Sequence, residues 1–528
     1  MPSSVPIPDP RASDPPQGPA PGRTGRRRLT AVACAVAALG LLTASVTALT
    51  GRAEADPGAD AGGPPMTGPE WRECTVDDLL PPPPEGVEAP PLEIPQDLWC
   101  AGIEVPVDHG DPAGRSTSLQ VGTLPHTGDG ASRGTVLYVA GGPGAGGVQD
   151  LAFERETLTD LRADFDVVAW NPRGTVGATA GLLPHEVCGD LGPVYRDVGS
   201  EEEFDERMDE YRAVMDQCRD RDPVMFASMD TSQHVGDMEA LRVALGEERL
   251  SLYAQSYGGV RATAYAERYP ERLRAVFMDS TVDHVSDPAV IEERLLLGQE
   301  ELFAGFGRWC ADDPGCALHG EDVQERWSTL LDTAAEEPLH AGRARFGRAE
   351  LSLAGAALLR SEAVWPRLAE TVARTLERGD ATPFLEVLGG PMFEPNTVVA
   401  DICGDWAPFD DFAGYREATD RAVAVSENFG HGRSLHHLPC AAWPEEGVNP
   451  PGPIDADGVP PFLVAASELE YPYTAPVADH VPGSVVVTVE GRGHGLYFFE
   501  TNTCVVGHAN RYFVDGALPA PGTRCALD

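Results

Sequence analysis

The stretch Leu250–Val260, LSLYAQSYGGV, decides how the rest of the chain is read. Leu250 to Tyr253 has strand character, and a helical stretch begins near Val260. A serine between small residues at a strand-to-helix junction sits where the backbone must turn sharply. Bulk two residues to either side would clash, and Ala254 and Gly258 stand at those flanks. The helix N-terminus beyond offers unpaired N–H groups to developing negative charge. Ser256 is therefore a candidate nucleophile. Alone the pattern is weak, so its company matters.

Thr135-Val136-Leu137-Tyr138-Val139 is a continuous apolar run of the kind found in buried parallel strands. It runs into Ala140-Gly141-Gly142-Pro143-Gly144-Ala145-Gly146-Gly147. Glycines at the end of a buried strand let the backbone itself approach something. We expect this loop to supply one N–H of an oxyanion hole, from Gly142, with Tyr257 supplying the other. No Gly-Lys-Ser/Thr follows, which excludes a phosphate-binding loop.

Further strands are expected at 103–107, 118–121, 165–170, 273–278, 460–466 and 484–489, with helices at 151–161, 201–218 and 234–245. Strands alternating with helices, and glycine-rich turns at strand C-terminal ends, give an α/β fold with a doubly wound, mostly parallel sheet. Asn171-Pro172-Arg173-Gly174 is a tight turn in which Arg173 reads as a brace. His234 reads as structural, and 201–218 as a surface helix with a charged face.

The last expected strand ends in Glu490-Gly491-Arg492-Gly493-His494-Gly495. A histidine between glycines after the final strand is where a general base belongs in this architecture, so His494 is the candidate base. His508 and the His436-His437 pair have no such setting. For the acid, Glu470 follows the strand at 460–466; Asp283 and Glu468 are the alternatives. The order serine, acid, histidine fits this fold type.

The expected organisation is an export segment over 1–55, a Pro/Gly-rich surface lead-in over 56–98, a first core part over 99–287, a mainly helical lid over 288–455 and a second core part over 456–528. Arg26-Arg27-Arg28, an uncharged run from Leu29 to Thr50 and Ala53-Glu54-Ala55 form the signal; an uncleaved N-terminal membrane anchor is the alternative to cleavage. Export makes the protein extracellular, with no membrane partner once the signal is removed. Of 11 cysteines, Cys34 lies inside the signal. The others fall in neighbouring couples, and we expect sequential disulfides. No metal-site spacing is present and no cofactor is expected. With 83 acidic against 39 basic residues and a formal charge of -44, nucleic acid is excluded as a partner.

Gly141-Gly142-Pro143-Gly144, Asn171-Pro172-Arg173-Gly174, Ser256-Tyr257-Gly258-Gly259, Gly493-His494-Gly495 and a closing pattern from Cys504 to Cys525 together resemble a known family. The chain is similar, from about Cys100 onward and least in the lid, to the secreted tripeptidyl aminopeptidases of actinobacteria. These are relatives of the prolyl aminopeptidases within the α/β-hydrolases. The resemblance implies an α/β-hydrolase fold with an inserted lid. It also implies cleavage of short peptides with a free N-terminus by Ser256 and His494, with the acid at or near Glu470. Lid carboxylates would recognise the substrate ammonium, Glu292 and Glu293 being the candidates. Ala254, Ala140 and Glu470 depart from the family pattern, which has glycine, histidine or asparagine, and aspartate there. They leave open an esterase or amidase acting on a peptide-like or ester-bearing metabolite. An inactive fold used for binding is the third alternative.

Overall fold

Along β4 (Thr135–Val139) every residue is buried, with Val136 and Tyr138 facing one apolar cluster and Leu137 and Val139 another. Alternate side chains of a strand point to opposite faces, so this run lies in a sheet covered on both sides. The computed structural model describes residues 68–79, 93–175, 196–360, 362–388, 395–445 and 447–527. Residues 60–528 form one unit and 1–59 a second, which falls outside the described residues together with the expected export segment and Cys188.

The main sheet has ten strands. β1 (Arg72–Glu73), β2 (Trp99–Pro106) and β3 (Ser116–Leu124) run antiparallel at one edge and join β5 (Asp166–Trp170). From β5 the strands are parallel in the order β5, β4, β6 (Leu250–Gln255), β7 (Leu273–Asp279), β10 (Phe462–Ser467), β11 (Val485–Val489), β12 (Arg524–Cys525). The chain thus leaves the sheet after β7 and returns at β10, directly beside it. That gap holds the insertion.

Between β7 and β10 lie the helices Pro288–Asp312, Val323–Glu336, Arg348–Leu359, Trp365–Arg378, Thr382–Leu388, Pro395–Asp405 and Phe412–Val425. One antiparallel hairpin joins them, β8 (Leu339–Ala341) with β9 (Ala344–Phe346). Phe303, Phe306, Trp327, Leu330, Trp365 and Phe429 form its interior.

Two expectations are corrected. The helix Glu201–Arg221 is not a free surface helix: Phe204, Met208, Tyr211 and Met215, at helical spacing along one face, are buried with Tyr415, Leu435 and Leu438. Tyr415 also donates to Asp197 at 2.6 Å, so this segment packs against the insertion between β7 and β10. The lead-in is likewise more than surface, because β1 pairs with β2, Cys74 is bonded to Cys100 and Arg72 forks onto Asp78 at 2.6 and 2.7 Å.

Cys310–Cys316, Cys403–Cys440 and Cys504–Cys525 bring the disulfides with both cysteines among the described residues to four, all between sequence neighbours. Arg173 is fully buried and forks onto Asp237 at 2.7 Å with both nitrogens while donating to Pro106 O. It braces the turn after β5 against the helix Thr231–Ala244. His234, also fully buried, contacts Asp401 at 3.1 Å.

Candidate active site

Ser256 follows the last residue of β6 with φ +51°, a left-handed conformation for a residue with a side chain. Such a backbone costs about 1–3 kcal/mol and persists only where its surroundings fix it. Here the Ser256 amide donates to Asp279 O at 2.9 Å, and its carbonyl accepts from Gly259 N at 3.0 Å. The glycines are steric requirements. A Cβ on Gly258 would stand 2.1 Å from Val139 O, and one on Gly259 1.6 Å from the Thr281 hydroxyl. On the other flank Ala254, fully buried, packs its methyl into the core beside Val139 and Met278, so alanine is accommodated where glycine is commoner.

Gly141 crosses directly over this turn. A Cβ there would lie 2.8 Å from Ser256 Cβ, 2.8 Å from Gln255 O and 3.4 Å from the Tyr257 nitrogen. The glycine-rich loop and the start of the helix Gly258–Arg268 therefore meet at Ser256, with Gly142 exposed beside it. This is the arrangement needed for two backbone N–H groups to converge on one oxygen.

His494 lies in the loop between β11 and the helix Thr503–Asp515, its side chain 44% exposed. That loop is held from β7. Gly495 N donates to the Ser280 hydroxyl at 3.0 Å, and Leu496 N and Tyr497 N donate to the two oxygens of Asp279 at 2.8 and 2.9 Å. Gly495, at φ +70°, abuts Gln255: a Cβ would come 2.5 Å from its amide nitrogen. The chain neighbours of Ser256 and His494 are thus in contact.

Glu470, 4% exposed, places Oε1 2.6 Å from His494 Nδ1. Burial alone would pull the His494 pKa down, but the Glu470 charge and hydrogen bond, with Asp279 adding, outweigh it and raise it above the ordinary value. The other two carboxylates considered are turned away from His494. Asp283 holds Arg294 at 2.7 Å and accepts the amides of Val285 and Ser286. Glu468 accepts Gly491 N and pairs with Arg524. On the helix Pro288–Asp312, Glu292 is ion-paired with Arg433 at 2.5 Å, and Glu293 is exposed. Neither is among the residues that meet at the Ser256 turn.

Asp279 was not singled out by the sequence pattern. It is fully buried, and burial raises its pKa to about 6 against the stabilising amides of Tyr497 and Leu496 and the Tyr253 hydroxyl. A carboxylate ending a buried strand, with no apolar purpose there, was the available signal. Also unread was Tyr138, whose phenol donates to Gln255 Oε1 at 2.6 Å and lies 2.9 Å from Asp150 Oδ2, beneath the Ser256 turn. Among the described residues, one grouping has metal-ligand composition: Cys504, His508 and Cys525, whose two sulfurs are joined as a disulfide.

Comparison with known proteins fits this geometry. A family model described as alpha/beta hydrolase fold matches residues 134–350, and one described as TAP-like protein matches residues 426–525. The chain has the α/β-hydrolase fold and is a serine hydrolase. Within that class it is similar to the serine protease Hip1 of Mycobacterium tuberculosis, 27% identical over 86% of this chain and 90% of that protein. A tripeptidyl aminopeptidase of Streptomyces coelicolor is 26% identical over 87% and 86%, and carboxylesterase B of M. tuberculosis is 28% identical over 92% and 96%.

Proposed function

We propose that the protein is an exported aminopeptidase that releases short N-terminal peptides through an acyl-enzyme on Ser256. His494 takes the Ser256 proton as the hydroxyl attacks the scissile carbonyl. Glu470 fixes the imidazole with Nδ1 protonated and stabilises the imidazolium. The amides of Gly142 and Tyr257 hold the oxyanion. His494 then protonates the departing amine, and water enters to repeat the steps and free the acid.

The observation that carries this reading is the 2.6 Å contact between a buried Glu470 and His494, on a loop tied to the same residue that holds Ser256. Tripeptidyl aminopeptidase and serine protease relatives aligned along most of the chain support peptide substrates. Four disulfides support an oxidising compartment outside the cell. An esterase or amidase is the second reading. It is favoured by the carboxylesterase relative and by the engagement of Glu292 with Arg433, which removes one lid carboxylate from ammonium recognition.

The test is Ser256→Ala in the mature protein. The proposal expects loss of both hydrolysis and labelling by a fluorophosphonate; a variant that still hydrolyses at the parent rate refutes it.

A further inference from the structure

The lid reaches the nucleophile turn through two buried carboxylates. Asp401 and Asp405, 1% and 2% exposed, lie four residues apart on the helix Pro395–Asp405 and so share one face. Asp405 accepts the Tyr257 phenol at 2.6 Å, together with the Thr231 hydroxyl at 2.8 Å and Asn449 Nδ2 at 3.2 Å. Asp401 accepts Arg261 Nη2 at 2.8 Å and contacts His234, and its carbonyl lies 3.3 Å from the same phenol oxygen. Arg261, fully buried, also donates to Ala140 O at 3.4 Å, at the head of the glycine-rich loop. Each side of the expected oxyanion hole is therefore tied to one lid helix: Tyr257 directly, and the Ala140 loop through Arg261.

Burying carboxylates is costly, and a helix that merely sealed the site would do so more favourably with apolar side chains. What these carboxylates add is direction. Tyr257 stands at the start of the helix Gly258–Arg268, and its N–H and its ring are set by the same backbone. Fixing the phenol at a short hydrogen bond restrains the amide that faces the oxyanion. The helix is itself pinned between the two carboxylates, because Cys403 is bonded to Cys440.

We propose that the lid helix Pro395–Asp405 is a working part of the oxyanion hole, in which Asp405 positions Tyr257 and Asp401 positions the Ala140 loop through Arg261. The inference rests on the reading of Tyr257 N–H as an oxyanion donor. It makes the lid a determinant of turnover as well as of access. Asp401 and Asp405 are positioning residues, since they act on the transition state only through the backbone they hold.

The test uses the mature protein with Tyr257→Phe, Asp405→Ala and both together. For each, one measures the rate of fluorophosphonate labelling, kcat and KM on a short-acyl p-nitrophenyl ester, and Tm. Each single change is expected to lower labelling and kcat about tenfold, a fraction of what loss of a whole oxyanion donor costs. KM should stay within about twofold, and the double variant should be no slower than the worse single, because the same bond is broken. Tyr257→Phe removes one oxygen and keeps the amide, so it tests the bond even if Asp405→Ala does not fold. Unchanged labelling in Tyr257→Phe overturns the inference, as does a rise in KM at constant kcat, or losses that multiply in the double variant. A parent protein that the probe does not label at Ser256 overturns instead the reading on which the inference rests.

Discussion

Asp279 holds Ser256 through its main chain while its side chain holds the histidine loop. Its carbonyl accepts the Ser256 amide at 2.9 Å, and its carboxylate accepts Leu496 N and Tyr497 N, beyond Gly495 on the His494 loop, at 2.8 and 2.9 Å. The proposed nucleophile and base are therefore registered by one residue at the end of β7, the last strand before the helical insertion departs. The sheet order explains why. β7 lies between β6, which presents Ser256, and β10, which leads to Glu470, so the end of β7 is the one strand end adjacent to both.

Asp279→Asn keeps the carbonyl contact but replaces one accepting oxygen by an NH2 group. One buried amide of the histidine loop then lacks an acceptor, at a cost of about 1–3 kcal/mol. Urea unfolding should show that loss, and kcat should fall with it. Unchanged stability and rate would mean that the loop is held otherwise.

The raised pKa of His494 fixes the direction of the pH profile. Neutral imidazole is the active form, so activity falls with acid, with a midpoint above the ordinary 6.5. Glu470→Gln removes the charge that raises it while burial still lowers it, so the acidic limb should move to lower pH. The same change permits the wrong imidazole tautomer, and kcat should drop by about 10³–10⁴-fold, as in triads of this type. A limb that stays in place would assign it to another group.

Gly141→Ala places a methyl 2.8 Å from Ser256 Cβ and from Gln255 O, so the loop must shift away from the nucleophile. Loss of one oxyanion donor predicts a fall of about 10²–10³ in kcat. Gly246→Ala is the control. Gly246 also has a positive φ, of +73°, but a methyl there meets nothing within 4 Å. It should cost about 1–2 kcal/mol of stability from the left-handed backbone alone, with kcat unchanged. Equal kinetic losses in both variants would contradict the steric account.

Replacing Cys403 and Cys440 by alanine opens a loop closed across 37 residues. The expected cost is about 2–4 kcal/mol, read as a lowered Tm under oxidising conditions and no Tm difference once both proteins are reduced. A Tm equal to that of the oxidised parent would show that the lid does not depend on this bond.

The parts of the site legible in the sequence were those whose chemistry forces a local pattern. Ser256 announces itself because the strained turn admits only small neighbours, and His494 because a loop after the last strand needs glycines to turn. Glu470 could be placed after its strand, but a loop carboxylate has no local signature, and only the 2.6 Å contact separates it from Asp283 and Glu468. The residues that were not legible work across long sequence separations. Asp405 and Tyr257 are 148 positions apart, and Asp279 and Tyr497 are 218 apart. Nothing within a helical turn or a strand repeat encodes such pairings. The helix Glu201–Arg221 is a milder case: its apolar stripe was present, but three glutamates in its first turn and its many surface charges drew the reading towards a solvated face.

The most direct measurement compares cleavage of a free-amine tripeptide p-nitroanilide with that of its N-acetylated twin by the mature protein. An aminopeptidase working through Ser256 should turn over the free amine and discriminate strongly against the acetylated substrate. Equal rates on the two would contradict that reading, and cleavage of neither by a protein whose Ser256 still takes the probe would move the assignment to an esterase.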